Sequence, residues 1–487
     1  MRVVIIGAGF GGIAAAVELR RHGIADVAIL EKARDFGGTW FYNTYPGAAC
    51  DVPSHLYSFS YAQRRDWSRL CSPQPEIFDY VHEVASDLGV DGLISTDSPV
   101  AACSWDGTAC RWSVRTEGGE VYVADAIVIA TGQLHKPSVP RIDGADSFEG
   151  HSFHSAQWDH DYDLTGKRVA VVGTGASTVQ FVPEIADQVQ RLMIFQRTGN
   201  WFLPRKNRPY PRAFKAFVEC VPAVQALRRK FMFQYCESLT LAIRHPRTVG
   251  RLVHLRSAMF MRWQLRDPEL RRRVWPDYTF GCKRVLFSSF YLPTLARGNV
   301  ELVTNAIRGM TPAGIVTSDG RLHEVDCVIW GTGFKATEFM LPMQITGVGG
   351  CDLREAWAGG AHAHLGMTVP GFPSMFIMYG PNTNTSGGSI IFYHEAQAAY
   401  IRQALQQLQR RAAGAIEVRA DVEAASDREV QSRFVGTAWT RCDSWYRDET
   451  GRIVANWPGY MREYLQRTSE LDPAEYQFFG QPAGVLA

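Results

Sequence analysis

Val3-Val-Ile-Ile6-Gly7-Ala-Gly9-Phe-Gly-Gly12 decides how this chain folds. Four apolar residues in a row suit a strand buried on both faces, as a parallel sheet requires. Gly7, Gly9 and Gly12 then set a G-x-G-x-x-G spacing, and Ile13-Ala-Ala-Ala-Val-Glu-Leu19 continues as a helix. Glycines so placed permit a tight turn and let the backbone approach a pyrophosphate at the helix N-terminus. Val27-Ala-Ile-Leu30 reads as the next strand. Glu31 closes it, placed to accept hydrogen bonds from a ribose. The spacing alone recurs by chance, but strand, turn, helix, strand and acid in succession make a dinucleotide site. A carboxylate at that strand end repels a 2′-phosphate, so this site suits FAD or NAD rather than NADPH.

The unit recurs. Lys167-Arg-Val-Ala-Val-Val172 is strand-like, Gly173-Thr-Gly175-Ala-Ser-Thr178 follows, and Val179-Gln-Phe-Val carries a helix onward. Thr178 stands where a third glycine is usual, a departure expected to loosen helix–sheet packing. The next strand, Leu192-Met-Ile-Phe195, ends in Gln196-Arg197-Thr198 instead of an acid. A cation and a hydroxyl there suit a 2′-phosphate, because Arg offers several donors to phosphate oxygens. The first site therefore reads as FAD and the second as NADPH. Ala126-Ile-Val-Ile-Ala130-Thr-Gly132 and Asp326-Cys-Val-Ile-Trp-Gly-Thr-Gly333 both end in Thr-Gly turns. They resemble the turns that join FAD and NADPH domains in two-dinucleotide flavoproteins. The expected class is α/β, with two Rossmann-like dinucleotide-binding domains.

Composition sets the outer bounds. A chain of 487 residues is long enough for two or three domains. With 46% hydrophobic and 21% charged residues it is ordinary for a soluble globular protein. A net charge of +2 gives the whole molecule no bias toward nucleic acid. The apolar run at the N-terminus is too short for a signal segment, and no stretch is apolar enough to span a bilayer. Ten cysteines are scattered without a C-x-x-C, so neither a disulfide framework, a zinc site nor a dithiol pair is expected. A reducing cytoplasm is the expected compartment.

Two further stretches narrow the chemistry. Phe148-Glu-Gly150-His-Ser-Phe-His154-Ser-Ala-Gln-Trp158-Asp159 reads F-x-G-x-x-x-H-x-x-x-W-D. Gly37-Gly38-Thr39-Trp40-Phe-Tyr-Asn-Thr-Tyr45-Pro46-Gly47-Ala-Ala-Cys-Asp51 reads G-G-x-W-x-x-x-x-Y-P-G-x-x-x-D. Both resemble signatures of the type I Baeyer–Villiger monooxygenases, the class B flavoprotein monooxygenases, and the resemblance covers nearly the whole chain. Physically, Gly37 and Gly38 admit backbone close to a flavin ring, Trp40 offers a rigid wall, and Asp51 places a carboxylate nearby. Phe280-Gly-Cys282-Lys283-Arg284 is similar to the family segment that supplies the active-site arginine. The resemblance implies that Arg284 lies over the flavin and stabilises a peroxide anion while Asp51 orients it. It also implies that Lys283 lies near the NADPH phosphate. Cys442-Asp-Ser444-Trp445 resembles the mobile loop whose Trp closes over NADP. His154 would then shape relative domain motion, acting as neither acid nor base. His151, His154, Asp159, His160, Asp161 and Asp163 cluster in sequence without the spacing of a known metal site, so no metal is assigned.

The implied activity uses NADPH and FAD to insert one atom of O₂ beside a ketone carbonyl, giving an ester or lactone through a C4a-peroxyflavin. An N- or S-oxygenating flavin monooxygenase acting on a sulfide is the alternative, and Trp158-Asp159 speaks against it. A flavin reductase serving a protein partner is a second alternative, and the lack of C-x-x-C speaks against its disulfide form. The expected organisation is an FAD domain over 1–140, a linker and NADPH domain over 141–205, a helical insertion over 206–273, more NADPH domain over 274–325, and the rest of the FAD domain over 326–487. Residues 206–273 hold 16 Lys+Arg against 4 Asp+Glu, a net +12, so the remainder carries −10. The reading preferred is a solvated basic face packed on acidic neighbours. Steering of NADPH and contact with an anionic membrane surface are the alternatives.

Overall fold

The computed structural model describes residues 1–480 except Lys206, Leu341 and Ser386, and omits the side chains of Glu219 and Pro222. Two five-stranded parallel sheets carry the fold. Along the chain their strands are β1 (Arg2–Ile6), β2 (Asp26–Leu30), β3 (Ile94–Ser95), β4 (Ala126–Ile129), β5 (His151–His154), β6 (Arg168–Val172), β7 (Arg191–Phe195), β8 (Val300–Val303), β9 (Cys327–Trp330) and β10 (Met375–Ile377). The first sheet runs β10-β4-β1-β2-β3 and the second β8-β7-β6-β9-β5. Val3, Val4, Ile5 and Ile6 are buried, as a strand covered on both faces demands. From β1 the chain winds outward through β2, then returns to β1's other side as β4. From β6 it does the same through β7 and returns as β9. Each reversal opens a crevice at the carboxyl ends of two strands, where such sheets bind ligands.

The turns at those crevices match one another. Gly7 has φ +104° and Gly173 φ +102°. An added Cβ would stand 2.6 Å from the Ala130 carbonyl oxygen at the first and 2.4 Å from that of Gly331 at the second. Helix α1 (Phe10–Arg21) leaves the first turn and α2 (Ala176–Ile185) the second. The looser packing expected from Thr178 is corrected. Thr178 is fully buried, and its Oγ1 lies where a Cβ on Gly331 would come within 2.0 Å. The opposite strand end has given up its side chain, so the helix stays close.

The chain crosses between the domains twice, side by side. Ser138 N–H donates to the Gly333 carbonyl at 2.9 Å, and Thr332 Oγ1 to that of Ser138 at 2.5 Å. The boundary expected at 325/326 moves. Cys327–Trp330 pairs in register with Val169–Val172 and so belongs to the second sheet. The return to the first domain follows Trp330. The first sheet is flanked by a four-stranded sheet of Val100–Asp106, Arg111–Thr116, Val121–Ala124 and Gln344–Thr346, which the sequence reading did not anticipate.

The insertion is helical, as expected: α3 (Arg212–Cys220), α4 (Pro222–Arg244), α5 (Val249–Gln264) and α6 (Pro268–Val274). Met232, Cys236 and Ile243 of α4 join the core of the first domain. Ala258 and Met261 of α5 join that of the second. The expectation that its basic face rests on acidic neighbours is met in part: Lys215, Arg229 and Arg244 are felt by Asp66, Glu395 and Glu463, without close ion pairs. Among the described residues Arg272 is the one insert cation in an ion pair, and its partner is Glu269 of the same helix. Helix α7 (Ile390–Arg410) completes the first domain by packing on α1.

Candidate functional site

A cavity of about 1500 Å³ runs between the two domains. Both glycine turns and both second-strand ends open into it: Gly7, Gly9 and Glu31 from the first domain, Gly173, Gly175, Arg197 and Thr198 from the second. Gly38, Thr39, Trp40, Asp51, Lys283, Arg284 and Trp445 line it as well. Of the cofactor-binding residues expected from sequence, Gly12 alone stands behind the wall. An added Cβ there would meet the Gly7 carbonyl oxygen at 1.9 Å, so Gly12 keeps α1 close to β1.

Glu31 plays a local part in shaping the first turn. Its carboxylate accepts from Ala8 N–H at 2.8 Å and from Ala33 N–H at 3.1 Å. It thereby ties the glycine turn to the strand end. Gly38, at φ +57°, brings the second signature against the first motif, since an added Cβ would lie 3.0 Å from Gly9 Cα. Trp40 is buried, and its Nε1 donates to Tyr57 Oη at 3.2 Å. The same signature then reaches across the domain gap. Tyr45 Oη donates to Gln180 Oε1 at 2.9 Å, and Gln180 Nε2 to the Ala49 carbonyl at 2.9 Å. Gln180 is on α2, so the loop between Trp40 and Asp51 docks on the second domain.

That docking carries Asp51 to Arg284. Arg284 Nη2 lies 2.5 Å and Nε 3.2 Å from Asp51 Oδ2. Burial works against the Asp51 charge, but the Arg284 guanidinium outweighs it and holds the carboxyl below its ordinary value. The Asp51 charge in turn raises Arg284 further above the guanidinium range. Both groups therefore stay ionised. Tyr379 and Tyr446 are close enough to Arg284 to be felt electrostatically. Burial raises both phenols, so they are neutral neighbours. Tyr379 sits at φ +60° and donates from Oη to Asn384 Oδ1 at 2.9 Å. No motif in the sequence marks Tyr379, Asn384 or Gln180.

At the other end of the cavity Arg197 and Lys283 form a cationic corner. Burial lowers the Lys283 pKa, and the nearby Arg197 charge lowers it further. Among the described residues neither is ion-paired with a carboxylate. Asn200 closes this end by donating from Nδ2 to the Thr174 carbonyl at 2.8 Å. The corner carries two cations, and the first strand end carries the Glu31 carboxylate.

A cross-link holds the Trp445 loop. Cys282 and Cys442 are disulfide-bonded, with Cα atoms 6.1 Å apart across 160 residues. This corrects the expectation of no disulfide. It joins the segment bearing Lys283 and Arg284 to the loop bearing Trp445. Trp445 is partly exposed against the cavity, while Tyr446 beside it is buried.

The F-x-G-x-x-x-H-x-x-x-W-D stretch lies outside the cavity. It forms β5 and the turn after it. A Cβ on Gly150 would come 2.3 Å from the Phe148 ring, which explains their pairing. His154 is buried, its Nδ1 accepts from Ala156 N–H at 3.1 Å, and its ring meets Phe334 edge-on at 5.9 Å. Trp158 packs edge-on to Phe153 and against Phe181 of α2. Asp159 Oδ2 lies 2.8 Å from His151 Nε2. His154 thus stands at the interdomain crossover, beside Phe334, and not among reacting groups.

Comparison with known proteins points the same way. A family model described as pyridine nucleotide-disulphide oxidoreductase matches residues 4–212. A Baeyer-Villiger monooxygenase of Streptomyces coelicolor is 42% identical over 481 residues, covering 98% of this chain and 92% of that protein. A Baeyer-Villiger monooxygenase of Pseudomonas aeruginosa is 39% identical, covering 100% and 93%. The solved structure of OTEMO in complex with FAD and NADP superposes with a TM-score of 0.89 at 27% identity, covering 98% of this chain and 99% of that one. Among the described residues no helix is long and apolar enough to cross a membrane.

Proposed function

The chain belongs to the Baeyer–Villiger monooxygenases, and from that premise we propose how its own residues divide the work. The enzyme binds FAD and NADPH and converts ketone, O₂, NADPH and H⁺ to ester or lactone, NADP⁺ and water. FAD, when bound, supplies the oxygen-activating chemistry, and NADPH supplies the hydride. The Gly7–Gly9 turn and the N-terminus of α1 hold the FAD pyrophosphate, with Gly38, Thr39 and Trp40 against the flavin. The Gly173–Gly175 turn holds the NADPH pyrophosphate, and Arg197, Thr198 and Lys283 hold its 2′-phosphate. Trp445 covers the nicotinamide nucleotide. Arg284 presents a fixed cation where negative charge builds on oxygen, and Asp51 keeps that cation aimed. His154 and Trp158 stiffen the crossover between the domains.

One observation carries this reading: the Arg284–Asp51 pair faces the same cavity as both glycine turns. A pair made for structure alone would not need a cavity lined at both ends by phosphate loops. The experiment is a coupling measurement with cyclic, aryl and long-chain ketones, products identified by mass. Arg284→Ala should retain FAD and still oxidise NADPH, yet release hydrogen peroxide. Its ester formation should fall at least about a hundredfold, the usual loss for one preorganised electrostatic group. Ester formation at the parent rate with full coupling would remove Arg284 from the mechanism. Asp51→Ala should impair the same step through misplacement of the arginine.

A further inference from the structure

The inner faces of α4 and α5 are spent on the two domain cores, but their outer faces are not polar. On α4, Leu227, Phe231 and Tyr235 recur at intervals of four, and Phe231 is 73% exposed. On α5, Leu252, Leu255, Met259 and Trp263 recur at three and four, with Leu252 at 69% and Trp263 at 66%. The two helices pack together within the insertion, and each exposes its own row. Exposed apolar rows of this kind mark an interaction surface.

The charges beside the rows say what the surface meets. Helix α5 carries Arg251, Arg256 and Arg262, all exposed, with Arg266 just beyond its end, and no acid within it. The insertion has net charge +12, and among its described cations Arg272 alone is in an ion pair. Lys215, Arg229 and Arg244 are felt by Asp66, Glu395 and Glu463. Among the described residues, however, none of the α5 arginines is in an ion pair, and a basic surface of that kind favours an anionic partner. A second copy of this chain seated on the same face would set +12 against +12. A nucleic acid would satisfy the arginines and leave seven large apolar side chains in water. A bilayer surface with anionic headgroups satisfies both. Leucine, methionine and phenylalanine enter the acyl boundary, tryptophan and tyrosine sit at headgroup level, and arginines meet phosphate.

We propose that the outer face of α4 and α5 docks the enzyme on an anionic lipid bilayer. The binding is peripheral, driven by partial insertion of two amphipathic helices and strengthened by charge.

The test is co-sedimentation of the FAD-loaded enzyme with vesicles. Equal parts phosphatidylcholine and phosphatidylglycerol should pull the parent protein down at low salt, and phosphatidylcholine alone should not. High salt should weaken the binding. The variant Leu252→Ser/Leu255→Ser/Met259→Ser/Trp263→Ser should lose affinity at least about a hundredfold, given what one buried apolar side chain contributes. Arg251→Glu/Arg256→Glu/Arg262→Glu should lose it on anionic vesicles as well. None of these residues lines the cavity, so NADPH oxidation by both variants in free solution should match the parent and report intact folding. Absence of parent binding to anionic vesicles at low salt overturns the proposal. So does equal binding by the serine variant. A parent that dimerises through these residues and ignores vesicles assigns the face to a second copy instead.

Discussion

At the scale of single residues, position decides what a positive charge does here. Arg284 has a carboxylate against it and is held in one place. Arg197 and Lys283 have no ion-paired carboxylate among the described residues, and burial with the Arg197 charge lowers the Lys283 pKa against smaller opposing pulls from Asp277 and Asp443. Two unpaired cations at one corner are a cost to the empty site that a phosphate dianion removes on arrival. NADPH carries that phosphate and NADH does not. Arg197→Ala should therefore weaken NADPH binding by roughly ten- to a hundredfold, the worth of one charged hydrogen bond at about 1.5–3 kcal/mol, and leave NADH nearly unchanged. Lys283→Ala should act in the same direction. The double variant should lose less than the two single losses multiplied together if both cations hold one phosphate, because partners of a shared group couple. Steady-state KM values and direct titration of both coenzymes would check this. Equal losses for NADPH and NADH would show that the corner does not read the 2′-phosphate.

Between elements, the second nucleotide motif shows how a rule is broken and repaired. At the first site a glycine, Gly12, lets α1 approach its strand; at the second, Thr178 occupies that place and Gly331 across from it has no side chain. Gly331→Ala should destabilise the domain by about 1–3 kcal/mol, since the new methyl meets Thr178 Oγ1 at 2.0 Å in a packed interior. Thr178→Ala should repair it, because the remaining Cβ lies at 3.4 Å and the Thr178 hydroxyl has no hydrogen-bond partner to lose. Thermal denaturation of the parent, both single variants and the double variant would measure the coupling; independent, additive shifts would refute the size exchange. The same contrast explains what the sequence could tell. The glycine turns, their strands, Glu31 and Arg197 were legible because strand, turn and helix follow one another locally. The signature residues from Gly37 to Asp51 were legible through family resemblance, and the cavity gathers them. Gly331, Gln180 and the Cys282–Cys442 bridge were not legible, because each acts on a partner in another segment and leaves no local spacing. Placing β9 in the first domain was an error of the same kind, since which sheet a strand joins is a long-range fact.

For the whole molecule, the places where segments meet are also the places where acid acts. His55 lies where the insertion touches the first domain, with Arg229 Nη1 donating to its carbonyl at 2.8 Å. Burial, helped by Arg228 and Arg229, lowers its pKa to about 4. His154, at the crossover, is also lowered by burial, against a smaller opposing pull from the Gly333 backbone. His394, on α7, lies where a Cβ on Gly11 would come within 3.3 Å of its ring, directly behind the first phosphate turn. Burial lowers its pKa to about 3 from an ordinary 6.5. Such a group is neutral in both folded and unfolded chains above pH 6.5 and contributes nothing there. Below that, the unfolded chain takes up a proton that the folded one refuses, so stability falls as pH falls. His362 works oppositely, because its hydrogen bond to Glu423 raises its pKa. Total stability against pH therefore mixes several signs, and a difference between two proteins isolates one histidine. Between pH 6.5 and 5, the parent should lose about 2 kcal/mol more than His394→Gln, at about 1.4 kcal/mol per pH unit for one proton. Denaturant unfolding of both FAD-loaded proteins at each pH gives the comparison. Parallel slopes would mean that His394 takes up its proton in the folded enzyme, and that the turn at Gly11 opens enough to hydrate it.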